Sequence, residues 1–242
     1  MNKTVKSYLV IAAHLITGLV IVACVQQLKL PVWLNTSILV FIAFLFLNLA
    51  QSYLFKLKNE IREFWSVRKI YYFPVGIICG GIIAISPTLI GLLTKQLSFS
   101  EITFKPDLSV SSIALTFVII GWEELWFRGI FLNYCNRHLS PINISIIIGF
   151  LFMLAHALNP KMDLIKIGPA LFFAGALLTI LYFYYKTIWI PLGLHFGNNY
   201  FGSIMETKSK TDVLFGDEGY VGAILLMALF LIFLIRIKKQ LN

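Results

Sequence analysis

The segment Gly121-Trp122-Glu123-Glu124-Leu125-Trp126-Phe127-Arg128 places two adjacent carboxylates and an arginine inside an otherwise apolar run. An ionisable group at the centre of a bilayer costs about 2.5–3.5 kcal/mol on insertion scales. Such groups therefore indicate either a function or an inward-facing salt-bridge cluster that locks a helix bundle. On a helix, Glu124 and Arg128 are four residues apart and share a face, where they can neutralise each other. Glu123 is rotated by about 100°, so its carboxyl group is either protonated or directed at water or at a partner on another helix.

The composition around this segment is that of a membrane protein. Of the 242 residues, 59% are hydrophobic and only 13% are charged, and the mean hydropathy is +0.85. A soluble domain has about 25% charged residues. The formal charge of +9 comes from basic residues in the loops between apolar runs, so membrane topology explains it better than a nucleic-acid partner does. Cys24, Cys79 and Cys135 have no metal or disulfide spacing and are predicted to be small buried apolar residues.

The apolar runs predict an all-α, polytopic membrane protein, a bundle of about eight transmembrane helices. The predicted spans are 8–25, 32–55, 74–94, 109–137, 142–158, 167–185, 188–205 and 220–235. The segments 95–108 and 206–219 are predicted to be polar loops, and the glycines of the third span are predicted to allow close helix approach. Lys and Arg are more frequent on the side of the termini, which favours cytoplasmic termini in the cell membrane.

Two histidines and an asparagine lie within predicted spans and need hydrogen-bond partners there: His156 in the fifth, and His195 and Asn199 in the seventh. His195 and Asn199 are four residues apart and share a helix face, as do Phe152 and His156. Counted at about 1.5 Å per residue from the helix ends, Glu123, His156 and Asn199 lie at similar depths, and His195 is about one turn shallower. This overlap favours a single site over three separate packing contacts.

The set Glu123-Glu124-x-x-x-Arg128, Phe152-x-x-x-His156 and His195-x-x-x-Asn199 resembles, in order and spacing, the three motifs of the CPBP family. This family, also called Abi, contains the type II CAAX-processing endopeptidases and bacteriocin-processing or self-immunity proteins. The resemblance covers about 117–199. It divides one membrane domain into N-terminal spans (1–108), a CPBP-like catalytic core (109–205), and a C-terminal loop with the last span (206–242).

The resemblance implies an intramembrane endopeptidase that cleaves a peptide bond of a membrane-associated peptide or lipidated substrate. Its partners would be that substrate and the lipid bilayer, without nucleic acid. Glu123 would be the general base and would activate a water together with His156. His195 and Asn199 would donate hydrogen bonds to the oxyanion. The supporting residues would be Glu124, Arg128 and Phe152.

Other interpretations of the same residues stay open. The family has been described as metalloproteases, and Glu123, His156 and His195 could bind zinc. The ligands would have to come from three separate helices, without HExxH spacing, so we predict that the enzyme needs no cofactor. The alternative function is a non-catalytic membrane scaffold or bacteriocin self-immunity protein of the same fold. A transporter is a third reading, but the chain lacks the paired halves of inverted repeats.

Overall fold

The computed structural model describes residues 66–106, 109–132, 139–156, 163–207, 212–215 and 219–241, with scattered positions between 17 and 45. This part of the chain is mostly helical, as the sequence predicts. The first two predicted spans, 8–25 and 32–55, lie outside the described residues apart from those scattered positions. The count of about eight spans, the division into 1–108, 109–205 and 206–242, and the cytoplasmic termini therefore stay predictions.

The described part contains seven α-helices and two short strands. In chain order these are α1 (Tyr72–Leu93), β1 (Ile102–Phe104), α2 (Val110–Glu124), α3 (Pro141–His156), α4 (Leu164–Tyr185), α5 (Trp189–Ile204), β2 (Met205–Thr207), α6 (Asp212–Phe215) and α7 (Tyr220–Leu241). A π-helix, Leu125–Leu132, follows α2 directly, and short 3-10 helices occupy Val67–Lys69 and Phe99–Glu101. The third to eighth predicted spans are each found as helices.

In the part of the chain that the structure describes, four helices are long and apolar enough to cross a membrane: α1, α2 with the start of its π-helical extension, α4 and α7. The shorter α3 is also apolar. Helix α5 has 16 residues, and every residue from Ile190 to Gly197 is buried. A helix that is buried on all sides lies in the core of a bundle. This central helix carries the third motif.

Helix α5 packs against α1 through glycines on both sides of the contact. Gly76 and Gly80 of α1 face Gly193 and Gly197 of α5, with a spacing of four residues on each helix. A Cβ atom on Gly197 would collide with the backbone oxygen of Ile77. Glycines at this spacing allow membrane helices to approach until their backbones touch. The close approach predicted for the third span is confirmed.

A second close contact joins α3 to α4. A Cβ atom on Gly175 would lie 2.7 Å from the Cβ of Phe152, and one on Gly149 would lie 2.6 Å from the backbone oxygen of Phe172. Small residues on each helix therefore set the separation of this pair as well. The contact brings the backbone of α4 close to the second-motif residue Phe152.

The two segments predicted as polar loops contain regular structure, so this prediction was wrong in part. Strands β1 and β2 pair antiparallel, with Thr103 opposite Glu206. The backbone N–H of Lys105 donates to the oxygen of Ile204 at 2.9 Å, which ties the strand to the end of α5. Because α1 and α5 pack side by side, the segments that follow them leave the bundle together. Strands of three residues are too short to show an alternating pattern in the sequence.

The prediction that the cysteines are buried was also wrong for the two that the structure describes. Cys24 and Cys79 are both exposed, and Cys135 lies outside the described residues. In a membrane protein, apolar side chains cover the surface that faces lipid as well as the interior. An apolar sequence context therefore does not separate buried positions from lipid-facing ones.

We expect Gly197→Ala to lower the melting temperature of the protein in detergent, because the added methyl group meets backbone that cannot move aside. Overpacking of this kind costs about 1–3 kcal/mol. Gly121→Ala is the matched control, since a Cβ atom at this helical glycine would have nothing within 4 Å. There, alanine should leave stability unchanged or raise it by up to about 1 kcal/mol. Equal melting temperatures for the two variants would contradict the packing argument.

Candidate active site

The first motif lies where α2 changes into the π-helix. Glu123 and Glu124 are the last two residues of α2, and Arg128 belongs to the π-helix. Arg128 Nη1 donates to Glu124 Oε1 at 3.1 Å, and both side chains are buried. The pairing predicted from their spacing is confirmed. π-helical turns are rare and occur frequently at functional sites.

Arg128 is also fixed to α4. Its Nη2 donates to the backbone oxygen of Gly175 at 2.8 Å, and the hydroxyl of Thr179 donates to the same oxygen at 2.8 Å. The guanidinium carbon lies 5.7 Å from the centre of the Phe152 ring and 5.8 Å from that of Phe127, within the range of cation–π contacts. Phe152 therefore touches the first motif, which suits the supporting role expected for it.

His195 lies between the two glutamates. Its Nδ1 is 2.9 Å from Glu124 Oε1, and its Nε2 is 3.5 Å from Glu123 Oε2. The shorter contact holds the imidazole ring against Glu124. The longer one brings Nε2 beside Glu123 Oε2, an atom that has no hydrogen-bond partner among the described residues.

This position of His195 differs from the depth estimated from the sequence. The count placed His195 about a turn shallower than the other candidates, yet it contacts both glutamates. The count assumed straight α-helices that rise about 1.5 Å per residue. Between Glu123 and the helix end used for that count, the chain runs through Leu125–Leu132, which is π-helical and has a different hydrogen-bond register.

His156 and Asn199 meet His195 at a cavity of ≈ 50 Å³, which Asn198 also lines. A volume of about 10–15 Å³ already holds one water. The other lining residues are apolar and come from α3, α4, α5 and α7. His156 Nδ1 lies 2.8 Å from the backbone oxygen of Phe152 one turn earlier. Within the described part of the chain, the histidine in contact with Glu123 is His195. His156 lines the same cavity as His195.

Buried polar atoms without a hydrogen bond are concentrated at this site. Within the described ranges, they include Glu123 Oε2, Glu124 Oε2, Arg128 Nε and Trp126 Nε1. Most buried polar groups in folded proteins are paired, and exceptions ask for an explanation such as a catalytic role. Three of these four atoms belong to the charged residues of the first motif. The site therefore retains hydrogen-bonding capacity that its own side chains do not use.

A zinc ion bound by Glu123, His156 and His195 is the alternative to a site without a cofactor. Catalytic zinc takes three protein ligands. Among the residues that the structure describes, no three His, Cys, Asp or Glu side chains are grouped closely enough to hold a metal. The absence of a cofactor stays a prediction.

Two residues of the site were not singled out from the sequence. Asn198 lines the cavity next to Asn199, and its polar side chain in a mostly apolar helix was the available signal. Gly175 contributes its backbone oxygen. Because this contact does not depend on the side chain, the sequence carries no signal for it. In the structure Asn199 is exposed, whereas Asn198 is partly buried.

The apolar helices and the site point to an integral membrane protein with a polar, partly charged centre. Residues 105–201 match the family described as Type II CAAX prenyl endopeptidase Rce1-like. The matched segment contains all three motifs and confirms the resemblance drawn from them. The chain has no significant match among curated proteins or among solved structures.

We expect Arg128→Ala to lower the yield of folded protein and its melting temperature in detergent. The substitution leaves the buried Glu124 carboxylate with His195 but without its guanidinium partner, and breaking a buried ion pair in this way costs about 3–5 kcal/mol. The double variant Arg128→Ala with Glu124→Gln removes the uncompensated charge and should recover part of the loss. A normal melting temperature for Arg128→Ala would contradict the pairing.

Proposed function

We propose that the protein is an intramembrane endopeptidase that hydrolyses a peptide bond of a membrane-associated peptide or lipidated protein. The observation that carries this proposal is the position of His195. It lies between Glu123 and Glu124 and lines a cavity together with His156 and Asn199. The match of residues 105–201 to an endopeptidase family supports the same reaction.

In the proposed reaction, Glu123 is the general base. It accepts a proton from the attacking water, and His156 hydrogen-bonds the same water. The water oxygen forms a bond to the carbonyl carbon of the scissile peptide, and the carbonyl π electrons move to its oxygen. The oxyanion then re-forms the C=O bond as the C–N bond breaks, and Glu123 returns the proton to the departing nitrogen. The products are a carboxylic acid and an amine, so one water is consumed per bond cleaved.

His195 and Asn199 stabilise the oxyanion in this proposal. Glu124 Oε1 holds Nδ1 of His195, and Nε2, which lies 3.5 Å from Glu123 Oε2, is the proposed donor to the oxyanion. As Glu123 takes the water proton, negative charge moves from its carboxylate to the carbonyl oxygen. A hydrogen-bond donor beside both positions stabilises the charge before and after this movement. Preorganised donors of this kind are often the largest catalytic term.

Glu124 and Arg128 position this machinery without touching the substrate. The pair holds His195 Nδ1, and Arg128 is in turn held by the Gly175 oxygen. No step of the proposed mechanism uses a metal, and the absence of a cofactor is part of the proposal. The apolar lining of the cavity suits a substrate with apolar or lipidated surroundings at the scissile bond.

The function is tested by mass spectrometry of membrane peptides from cells that carry the normal protein, Glu123→Gln or Gly121→Ala. We expect Glu123→Gln to insert and fold but to abolish proteolysis, because the amide keeps the shape and cannot act as the base. The Gly121→Ala control lies two residues away on the same helix and should give the normal peptide pattern. Cleavage retained by a well-folded Glu123→Gln variant would refute the role of Glu123. A peptide pattern identical in all three strains would favour a scaffold or immunity protein.

A second experiment distinguishes the oxyanion role from zinc binding, with a peptide found in that comparison as substrate. We expect Asn199→Ala to lower kcat by about 10²–10³ with little change in substrate binding. Ser203→Ala, one turn further along α5, removes a hydroxyl that donates to the backbone oxygen of Tyr200 and should have normal kcat. The purified enzyme should resist chelators. One tightly bound zinc per chain, with activity restored only by metal, would overturn the metal-independent mechanism.

A further inference from the structure

We propose that a basic and aromatic cluster, remote from the candidate active site, binds the phosphate headgroup of an anionic phospholipid. The cluster lies where α1 begins and where α4 and α7 end. We call it the interfacial cluster and define it by Lys69, Lys186, Arg236, Tyr72 and Tyr185. It does not depend on the proposed function, because none of its residues belongs to the three motifs.

Lys69 holds the end of α4 at this cluster. Its Nζ donates to the backbone oxygens of Tyr185 and Lys186 at 3.1 and 3.0 Å. An ammonium group at a helix C-terminus complements the helix dipole and satisfies carbonyls that have no partner within the helix. The backbone of Lys186 is left-handed, with φ 51°, so the chain turns sharply here into α5. Two cationic side chains thus belong to one rigid turn.

Aromatic rings connect this turn to α1 and α7. The Tyr185 ring lies 5.1 Å from Tyr72 and 6.2 Å from Phe233, measured between ring centres. The guanidinium carbon of Arg236 lies 5.7 Å from the centre of the Phe233 ring. Aromatic rings therefore pack the ends of three helices, α1, α4 and α7, against one another. Cationic side chains lie beside these rings.

The described charged residues at this end of the bundle are basic. The described residues 66–72, 184–190 and 233–241 contain Arg68, Lys69, Lys186, Arg236, Lys238 and Lys239, with no Asp or Glu. At the opposite end, Lys95 and Lys105 are accompanied by Glu101. A group of cations of this kind suits an anionic partner.

Several features favour a phospholipid as that partner. The cluster lies at the ends of helices long enough to cross a bilayer, the level at which Tyr side chains and headgroups meet. Arg binds phosphate oxygens with two parallel hydrogen bonds, and Lys adds a point charge. Basic pockets between membrane helices are known to bind anionic headgroups. The ring surface beside the cations provides a contact for the apolar part of the lipid.

The test is native mass spectrometry of the full chain in detergent, titrated with phosphatidylglycerol and, separately, with phosphatidylcholine. We expect saturable retention of phosphatidylglycerol and weak retention of phosphatidylcholine. The double variant Lys186→Gln with Arg236→Gln should weaken phosphatidylglycerol binding by about tenfold, because it removes two phosphate contacts. Lys69 is left unchanged so that the end of α4 keeps its hydrogen bonds.

The matched control is Lys95→Gln with Lys105→Gln, which removes the same charge at the opposite end. Lys95 also has a left-handed backbone, with φ 57°, so the control matches Lys186 in conformation. We expect this variant to bind phosphatidylglycerol within about twofold of the normal protein. Equal losses in the two double variants, or equal retention of both lipids, would overturn the proposal. Displacement of the lipid by an equal concentration of inorganic phosphate would overturn the assignment to a lipid.

Discussion

A single carboxylate oxygen, Glu124 Oε1, joins the parts of this protein that matter for its chemistry. It contacts Arg128 Nη1 at 3.1 Å and His195 Nδ1 at 2.9 Å, and so ties the end of α2 to α5. Arg128 Nη2 donates to the backbone oxygen of Gly175, so the same network reaches α4. In a low-dielectric interior such a network is favourable only when each charge has its partner. The helices must therefore meet in one arrangement.

The glycine contacts provide that arrangement. Gly193 and Gly197 lie on either side of His195 in the sequence, and both are pressed against α1. The backbone contact between α5 and α1 thus fixes the position of His195 relative to the glutamates. At Gly175 the absence of a side chain lets α3 approach and leaves the backbone oxygen to receive Arg128. Packing and electrostatics specify the same geometry by independent means.

Part of this could be predicted from the sequence. The helices at the third to eighth predicted spans follow from hydropathy, and the Glu124–Arg128 pair follows from a spacing of four residues. The contact of His195 with both glutamates did not follow, because it depends on the π-helix and on how helices distant in sequence pack. The β1–β2 pair was not predicted, because a strand of three residues is too short to show an alternation of apolar and polar residues. The catalytic roles of Glu123, His156, His195 and Asn199 stay predictions, because they concern a reaction and not an arrangement of atoms.

The seam between α1 and α5 also limits how a substrate can reach the cavity. Rotation of a side chain can widen a passage between helices that meet through leucine or phenylalanine. Glycine contacts offer no such freedom, since their two backbones already touch. The α1–α5 seam therefore cannot serve as a lateral gate without separation of the helices over more than a full turn. Among the described walls of the cavity, α3, α4 and α7 contribute side chains, which can rotate without separation of the helices.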